Sequence, residues 1–208
     1  MNGKQQRLLA SVLARVPYDG WTILAIAKGA KVAGFSPAEA QACFPDGVAG
    51  VVAAFHAMIN NTMRAAIKGN RKFAVLRTRD KVAFAVRARL EAVDDYREAM
   101  QRLLVWGVMP RNIRAASGHL WQAADEVWRA AGDTSTDYNY YTKRILLIAV
   151  MKATLSFWLN DVSPECRDTW EFLDRRIGNV LTVGKGIGVA KTVGVEDILS
   201  FVRSRFAH

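Results

Sequence analysis

Along the chain, apolar residues recur at intervals of three and four rather than two, the spacing of helices that each bury one face. Leu8, Leu9, Val12, Leu13 and Val16 form the first stripe, over Lys4 to Val16, and Pro17-Tyr18-Asp19-Gly20 ends it. A second helix follows Thr22, through Ile23, Ile26 and Ala30 to Gly34. Ser36-Pro37-Ala38-Glu39 reads as a capping box with proline at the first helical position, so a short helix is predicted from Pro37 to about Cys43. After Pro45-Asp46-Gly47, a long helix from Gly47 to Lys68 carries Val48, Val51, Val52, Phe55, Ile59 and Met63 at helical spacing. Arg77 to Val105 reads as one or two helices, with Val82, Val86, Leu90 and Val93 on one stripe. Trp106-Gly107-Val108-Met109-Pro110 reads as a bend. Asn112 to Ala130 is a further helix with Leu120, Ala124, Val127 and Trp128 inward and Gly132 as its stop.

The stretch Ala131 to Leu159 organises the rest. From Ile145 to Leu159 only Lys152, Thr154 and Ser156 are not apolar, so a helix here is greasy on nearly every side and is expected to be buried. Fifteen residues rise about 22 Å, short of a bilayer span, which favours a core or ligand-lining helix. Ahead of it, Ser135 and Thr136 offer N-caps, and Tyr138, Tyr140 and Tyr141 precede Lys143 and Arg144. Tyr140 and Arg144 lie four apart, close enough for a ring to stack on a guanidinium. That pair serves either as an interface anchor or as a capped helix start with tyrosines covering the core edge. Ser163-Pro164 opens a last body helix in which Cys166, Trp170, Leu173, Ile177 and Val180 follow at spacings of 4, 3, 4 and 3. This is a packing seam, either within the chain or with a second copy.

From Thr182 to Gly194 the glycines 184, 186, 188 and 194 describe a flexible tether with ends about 20 Å apart. Beyond it Val195, Ile198, Leu199, Val202 and Phe206 share one face, with Arg203 and Arg205 off it, as in a helix that docks on its own body or on a membrane. No segment alternates like a strand. The fold class is therefore all-α, nine or ten helices, divided as a head (1–68), a helical body (69–181), a tether (182–194) and an amphipathic helix (195–208).

Composition adds a globular class, at 51% hydrophobic and 23% charged, and the amino terminus offers no signal or transit pattern, as expected of a cytosolic chain. Cys43 and Cys166 read as reduced core thiols. His56, His119 and His208 are not spaced with carboxylates or cysteines as a metal or nucleophile site requires, and Asp133 and Asp137 read as helix-terminus acids. Neither a catalytic role nor a cofactor is expected. Gly184-Lys185-Gly186 and Gly188 follow no predicted strand, which argues against a nucleotide loop. Charge changes the picture more. The net +10 is concentrated between Arg64 and Arg89, where Arg64, Lys68, Arg71, Lys72, Arg77, Arg79, Lys81, Arg87 and Arg89 face one acid, Asp80. Nucleic acid, an anionic membrane and an acidic protein all suit such a run.

Ala131, Gly132, Asp133, Ser135, Thr136, Asp137, Asn139, Tyr140, Tyr141, Thr142, Lys143 and Arg144 fit the pattern AGD-x-STD-x-N-aromatic-YT-K/R-R. On them the chain resembles the ubiquinone (coenzyme Q) biosynthesis accessory proteins known as the Coq-nine family. The resemblance runs upstream through Leu76-Arg77, Asp80-Lys81-Val82 and Met109-Pro110-Arg111-Asn112-Ile113, and downstream through Asp168-Thr169-Trp170, Phe172-Leu173 and Arg176. Tyr140 stands where many relatives have tryptophan. The first four helices, with Gly20-Trp21-Thr22 and Phe44-Pro45, also resemble the DNA-binding head of TetR-type repressors. The helix that would read DNA, Pro37 to Cys43, has no Lys, Arg, Asn or Ser, and its polar side chains are Gln41 and the acid Glu39.

The family resemblance implies a TetR-like bundle with a pocket for polyprenylated aromatic intermediates, which it delivers to the di-iron demethoxyubiquinone hydroxylase without catalysis of its own. On that reading Leu146, Leu147, Val150, Met151, Leu155 and Trp158 line the lipid cavity. Partner contacts fall at Asn139, Tyr140, Tyr141 and Arg144, with Trp170 and Leu173 nearby, and membrane contacts at Val195, Ile198, Leu199, Val202, Arg203, Arg205 and Phe206. It further implies a homodimer, peripheral on the inner membrane of a bacterium, with isoprenoid quinone intermediates or phospholipid as ligands and no specific DNA. The alternative is a TetR-type regulator with a hydrophobic effector, whose head and Arg64 to Arg89 engage DNA.

Overall fold

Asn2 accepts a hydrogen bond from the Gln5 amide at 2.9 Å while the Gln5 side chain accepts one from the Asn2 amide, and Ser36 and Glu39 repeat the exchange. These boxes fix the starts of α1 (Gly3–Leu13) and α4 (Pro37–Cys43). The computed structural model describes residues 1–187, with side chains through residue 178. Among them lie also α2 (Val16–Asp19), α3 (Ile23–Val32), α5 (Val48–Gly69), α6 (Thr78–Glu91), α7 (Arg97–Val108), α8 (Ile113–Ala130), α9 (Tyr138–Leu159) and α10 (Arg167–Ile187). Short 3₁₀ turns occupy Phe73–Val75, Asp94–Tyr96, Pro110–Asn112 and Pro164–Cys166. No strand occurs among the described residues, so the fold is all-α.

Proline chemistry explains two departures from the predicted boundaries. The first stripe breaks after Leu13, because Pro17, which lacks an amide hydrogen, is accommodated at the start of a separate turn, α2, closed by Gly20 at φ +68°. The bend predicted at 106–110 is helical through Val108 and turns at Met109, just before Pro110.

Contacts divide the chain into two units, residues 1–63 with 91–119, and residues 64–90 with the chain from 120 onward. The predicted head, 1–68, is therefore not self-contained. Its large side chains need α7: the Trp21 indole donates to the Ala99 carbonyl at 3.1 Å and packs 5.5 Å from Phe55, which meets Tyr96 edge-on. Leu8, Leu9, Val12, Leu13, Val16, Val51, Val52 and Phe55 form the core of this unit. There α1 and α3 pass so closely that a Cβ on Gly29 would lie 2.9 Å from the Val12 backbone. His56 of α5 stacks on His119 of α8 with centroids 4.5 Å apart.

In the second unit α9 is buried on one side, not all round. Leu146, Leu147, Val150, Thr154 and Trp158 are buried, whereas Ile145 is 40% and Phe157 38% exposed, and Ile148, Met151, Leu155 and Leu159 are half-buried. Apolar composition does not supply neighbours, and here one face of α9 has too few. Leu173 and Ile177 of α10 are 2% exposed within a single chain, so their seam is intramolecular. Cys43 and Cys166 are half-buried at the ends of short turns, Cys166 with φ +55°, and are not core thiols. Asp161 leads the chain into α10, accepting hydrogen bonds from the Ser163 and Thr169 amides and the Thr169 hydroxyl. Burial works against its ionisation, yet the Thr169 and Ser163 donors hold its carboxyl well below the usual carboxylate range.

Helix α10 reaches Ile187, so residues 182–187 of the predicted tether are helical. Gly184 and Gly186 each cost about 1 kcal/mol there, too little to stop a long amphipathic helix. The remainder of the tether and the tail residues Val195 to Phe206 lie outside the described residues. No single helix among the described residues is long and apolar enough to cross a membrane.

The burial of His119 makes stability depend on pH. Burial lowers the pKa of His119 below its ordinary 6.5, so the folded state favours the neutral ring. As pH falls through about 6.5 the unfolded chain takes up the proton first, so this contribution to stability is complete above that pH and declines below it. The thermal midpoint is expected to drop between neutral pH and mildly acidic pH, and His119→Gln to flatten that slope; parallel slopes for the two proteins would rule His119 out as a cause.

Candidate functional site

The distinctive motif begins as a helix stop. Gly132, at φ +90°, lets the Asp133 amide reach the Trp128 carbonyl at 2.9 Å and its own amide reach Arg129, a glycine-dependent C-terminal cap that turns the chain out of α8. Asp137, rather than Ser135 or Thr136, then caps α9, accepting from the Asn139 amide at 3.0 Å and from its side chain at 3.1 Å. Four residues, 133–136, lie between Gly132 and Asp137, so α9 follows α8 after a short turn.

Arg144 closes this hairpin from inside. Its side chain is 1% exposed, and burying a guanidinium costs several kcal/mol unless its donors are all matched. Here each of the three nitrogens has an acceptor: Nε donates to Asp125 at 2.8 Å, one terminal nitrogen meets Asp125 at 2.7 Å, and the other meets Asp133 at 3.1 Å and the Tyr140 carbonyl at 2.9 Å. The guanidinium lies 3.5 Å from the Tyr140 ring centroid, and the Tyr140 hydroxyl donates to Asp125 at 3.2 Å. Lys143 donates to Asp133 and Ser135, both at 2.7 Å, and Arg129 pairs with Asp125 at 2.7 Å. Burial alone would raise the Asp133 pKa, but hydrogen bonds from Lys143, Ser135 and Arg144 hold its carboxyl below the usual range.

What this network presents outward is aromatic. Trp121, Tyr140 and Tyr141 lie with ring centroids 5.1 to 6.0 Å apart, and Tyr141 is 57% exposed. Tyr140 and Tyr141 are thus together, and Asn139 braces the cap beside them. Arg144 is not on the surface: it is buried beneath the tyrosines and holds them in place. Trp170 and Leu173 engage other groups. Trp170 lies under Arg87 at 4.7 Å and donates to the Glu165 carbonyl, and Leu173 is buried.

Of the residues expected to line a lipid cavity, Leu146, Leu147, Val150 and Trp158 are closed into the core, while Met151 and Leu155 are half-buried. None lines the open cleft of about 690 Å³ where α9 ends and α10 begins. Its walls are Phe157 and Phe172, stacked at 4.7 Å, with Arg176 over Phe172 at 4.8 Å and the polar side chains of Ser156, Asn160 and Asp168 at the mouth. No group of three or more His, Cys, Asp or Glu side chains that could hold a metal occurs among the described residues.

Sequence reasoning missed Trp121 and Asp125, and read Trp128 only as an inward-facing side chain of α8. Their 4 and 3 spacing on α8 was visible, but an acid inside an apolar stripe points to Arg144 only once the hairpin is formed.

Because Arg144 anchors the site from within, Arg144→Ala takes one cation from Asp125, which keeps Arg129, and one from Asp133, which keeps Lys143, and, with the charge-assisted hydrogen bonds lost, is expected to cost about 1.5–3 kcal/mol or more in a urea melt. Tyr141→Ala, at an exposed position, is expected to stay within about 0.5 kcal/mol of the parent. Equal stabilities for the two variants would show that the buried network is not what holds the hairpin.

The chain can be compared with known proteins on this basis. The COQ9 family model matches residues 113–184, a span that holds the whole network. The ubiquinone biosynthesis protein COQ9-B, mitochondrial, of Xenopus laevis is 35% identical over 91% of this chain and 67% of its own length. Its Xenopus tropicalis counterpart is 35% identical over 91% of this chain, and the human one 33% identical over 91%. The chain spans 62% and 61% of those two relatives. Among solved structures, the crystal structure of a TetR transcriptional regulator from Nitrosomonas europaea aligns with a TM-score of 0.70 at 15% identity, over 86% of this chain and 99% of that one, so the fold is TetR-like. Sharing a third of its residues with these relatives over nine-tenths of its own length, the chain belongs to the COQ9 family of ubiquinone biosynthesis proteins.

Proposed function

We propose that the protein is a non-catalytic accessory factor of ubiquinone biosynthesis that binds polyprenylated aromatic intermediates and presents them to the demethoxyubiquinone hydroxylase. The observation that carries this reading is the aromatic face of Trp121, Tyr140 and Tyr141, fixed over a buried, ion-paired Arg144. Tyrosine and tryptophan are enriched where protein partners bind, and a face that is already rigid loses little freedom on docking. Tyr140, Tyr141 and Asn139 are the proposed hydroxylase contacts, with Arg144 as their positioning residue.

For the lipid, support comes from the open side of α9. Ile145, Ile148, Met151, Leu155 and Leu159 are half-buried or exposed there, apolar surface that an isoprenoid chain or a second copy of the protein would cover. The aromatic-walled cleft of Phe157 and Phe172, with polar groups at its mouth, suits the ring of an amphiphilic quinone precursor. The tail residues Val195, Ile198, Leu199, Val202, Arg203, Arg205 and Phe206 are the proposed bilayer contact, which would make the protein peripheral to a bacterial inner membrane. A DNA-reading role finds little in α4, whose side chains include no cation.

Tyr141→Ala is expected to weaken hydroxylase binding at least tenfold, about 1.4 kcal/mol, while melting like the parent. Unchanged affinity would move the partner site off this face. Organic extracts of the purified protein are expected to contain isoprenoid quinone precursors or phospholipid by mass spectrometry, and extracts free of both would remove the carrier role.

A further inference from the structure

The basic run between Arg64 and Arg89 divides once side chains are placed. Five of its nine cations turn inward or along the surface of their own unit. Arg64 pairs with Glu126, Arg79 donates to the Asp174 carbonyl at 3.0 Å, Lys81 lies over Phe73 at 5.9 Å, Arg87 covers Trp170, and Arg89 is buried. The other four, Lys68, Arg71, Lys72 and Arg77, are exposed, and no acidic side chain among the described residues pairs with them.

Lys68 sits in the last turn of α5, and Arg71, Lys72 and Arg77 follow in the fixed loop that joins α5 to α6. Asn70 accepts from the Lys72 amide at 3.0 Å and its carbonyl from the Phe73 amide at 3.0 Å, while Val75 and Leu76 close successive turns onto Lys72 and Phe73. Phe73 is buried and meets Phe84 edge-on at 5.6 Å, which pins the loop to α6. Between Lys72 and Arg77 along the chain, Val75 is 84% exposed.

We infer that the Lys68–Arg77 loop is a docking platform for an anionic phospholipid surface, separate from the tail. An exposed valine with four exposed cations within seven residues of it along the chain suits a bilayer, whose headgroups take the charges while its interface takes the apolar tip. The loop is poorly made for nucleic acid. It exposes no aromatic ring on which a base could stack, its buried Phe73 is committed to Phe84, and the Asn70 side chain is occupied by its own backbone. An acidic protein partner would want a pocket or an aromatic anchor, and Val75 with Ala74 supplies neither. The inference does not rest on the cargo or on the hydroxylase, and it adds a contact in the body to the one proposed for the tail.

Flotation of the full chain tests it, with phosphatidylcholine vesicles that contain or lack phosphatidylglycerol. Each cation near an anionic surface strengthens partitioning about fivefold, so the quadruple variant K68Q/R71Q/K72Q/R77Q is expected to lose binding to anionic vesicles by about a hundredfold or more and to lose most of its salt dependence. V75D is expected to weaken binding further than loss of a neutral surface residue would. Both variants should melt like the parent, since every altered side chain is exposed, and should still copurify with lipid and bind the hydroxylase. The full-length tail variant R203Q/R205Q should retain the loop's share of the binding. A quadruple variant that floats like the parent overturns the inference, as does a parent chain indifferent to phosphatidylglycerol. Duplex DNA that competes with anionic vesicles at physiological salt would assign the loop to nucleic acid instead.

Discussion

The second unit depends on one buried cation. A guanidinium withdrawn from water is tolerated only when it is paired and hydrogen-bonded, and Arg144 obtains its partners from three places along the chain: Asp125 in α8, Asp133 after the helix stop, and the Tyr140 carbonyl one turn before. These demands fix the register of α9 against α8. A shift of one residue would carry Arg144 about 100° around its helix, away from both Asp125 and Asp133. The motif's residues are therefore consequences of one arrangement. Gly132 allows the turn, Ser135 and Lys143 complete the hydrogen bonding of Asp133, and Asp137 with Asn139 starts the next helix in phase.

The TetR-like head shows how a fold is kept without a DNA-reading surface, as the lack of cations in Pro37 to Cys43 led one to expect. Its core of Leu8, Val12, Phe55 and Trp21 involves α1, α2, α3, α5 and α7, and α4 contributes Ala40 alone from its seven residues. Packing thus places little constraint on the outer face of α4. That face can lose its cations while Ser36 and Glu39 still cap the helix and the unit keeps its shape.

Local chemistry made much of the fold legible from sequence. The Ser36–Glu39 box gives α4 its observed bounds, and the stripes of α1 and α5 name their core side chains. What could not be read was which neighbours each face would meet. Ile145 to Leu159 looked buried on every side because apolar content was read as burial, yet the surrounding helices cover one side of α9. The 4-3-4-3 seam in α10 was equally visible, but whether Leu173 and Ile177 pack at home or on a second copy depends on surfaces distant in sequence. Tyr140 and Arg144 were correctly paired by their i, i+4 spacing. That spacing tells which side chains can touch, and the acids across the hairpin decide which of the two faces the interior.

That last decision bears on how the site works. An exposed arginine would offer a partner a strong but mobile contact, which loses side-chain freedom on binding. A buried one gives up direct contact and instead fixes the ring above it, with the hydroxyl of Tyr140 tied to Asp125 and the ring edge set against Tyr141. The aromatic face then has little left to order when a partner arrives, so more of its buried area appears as affinity. The motif's polar residues act inside the protein to make an apolar surface rigid, and the tyrosines, not the charges, meet the partner.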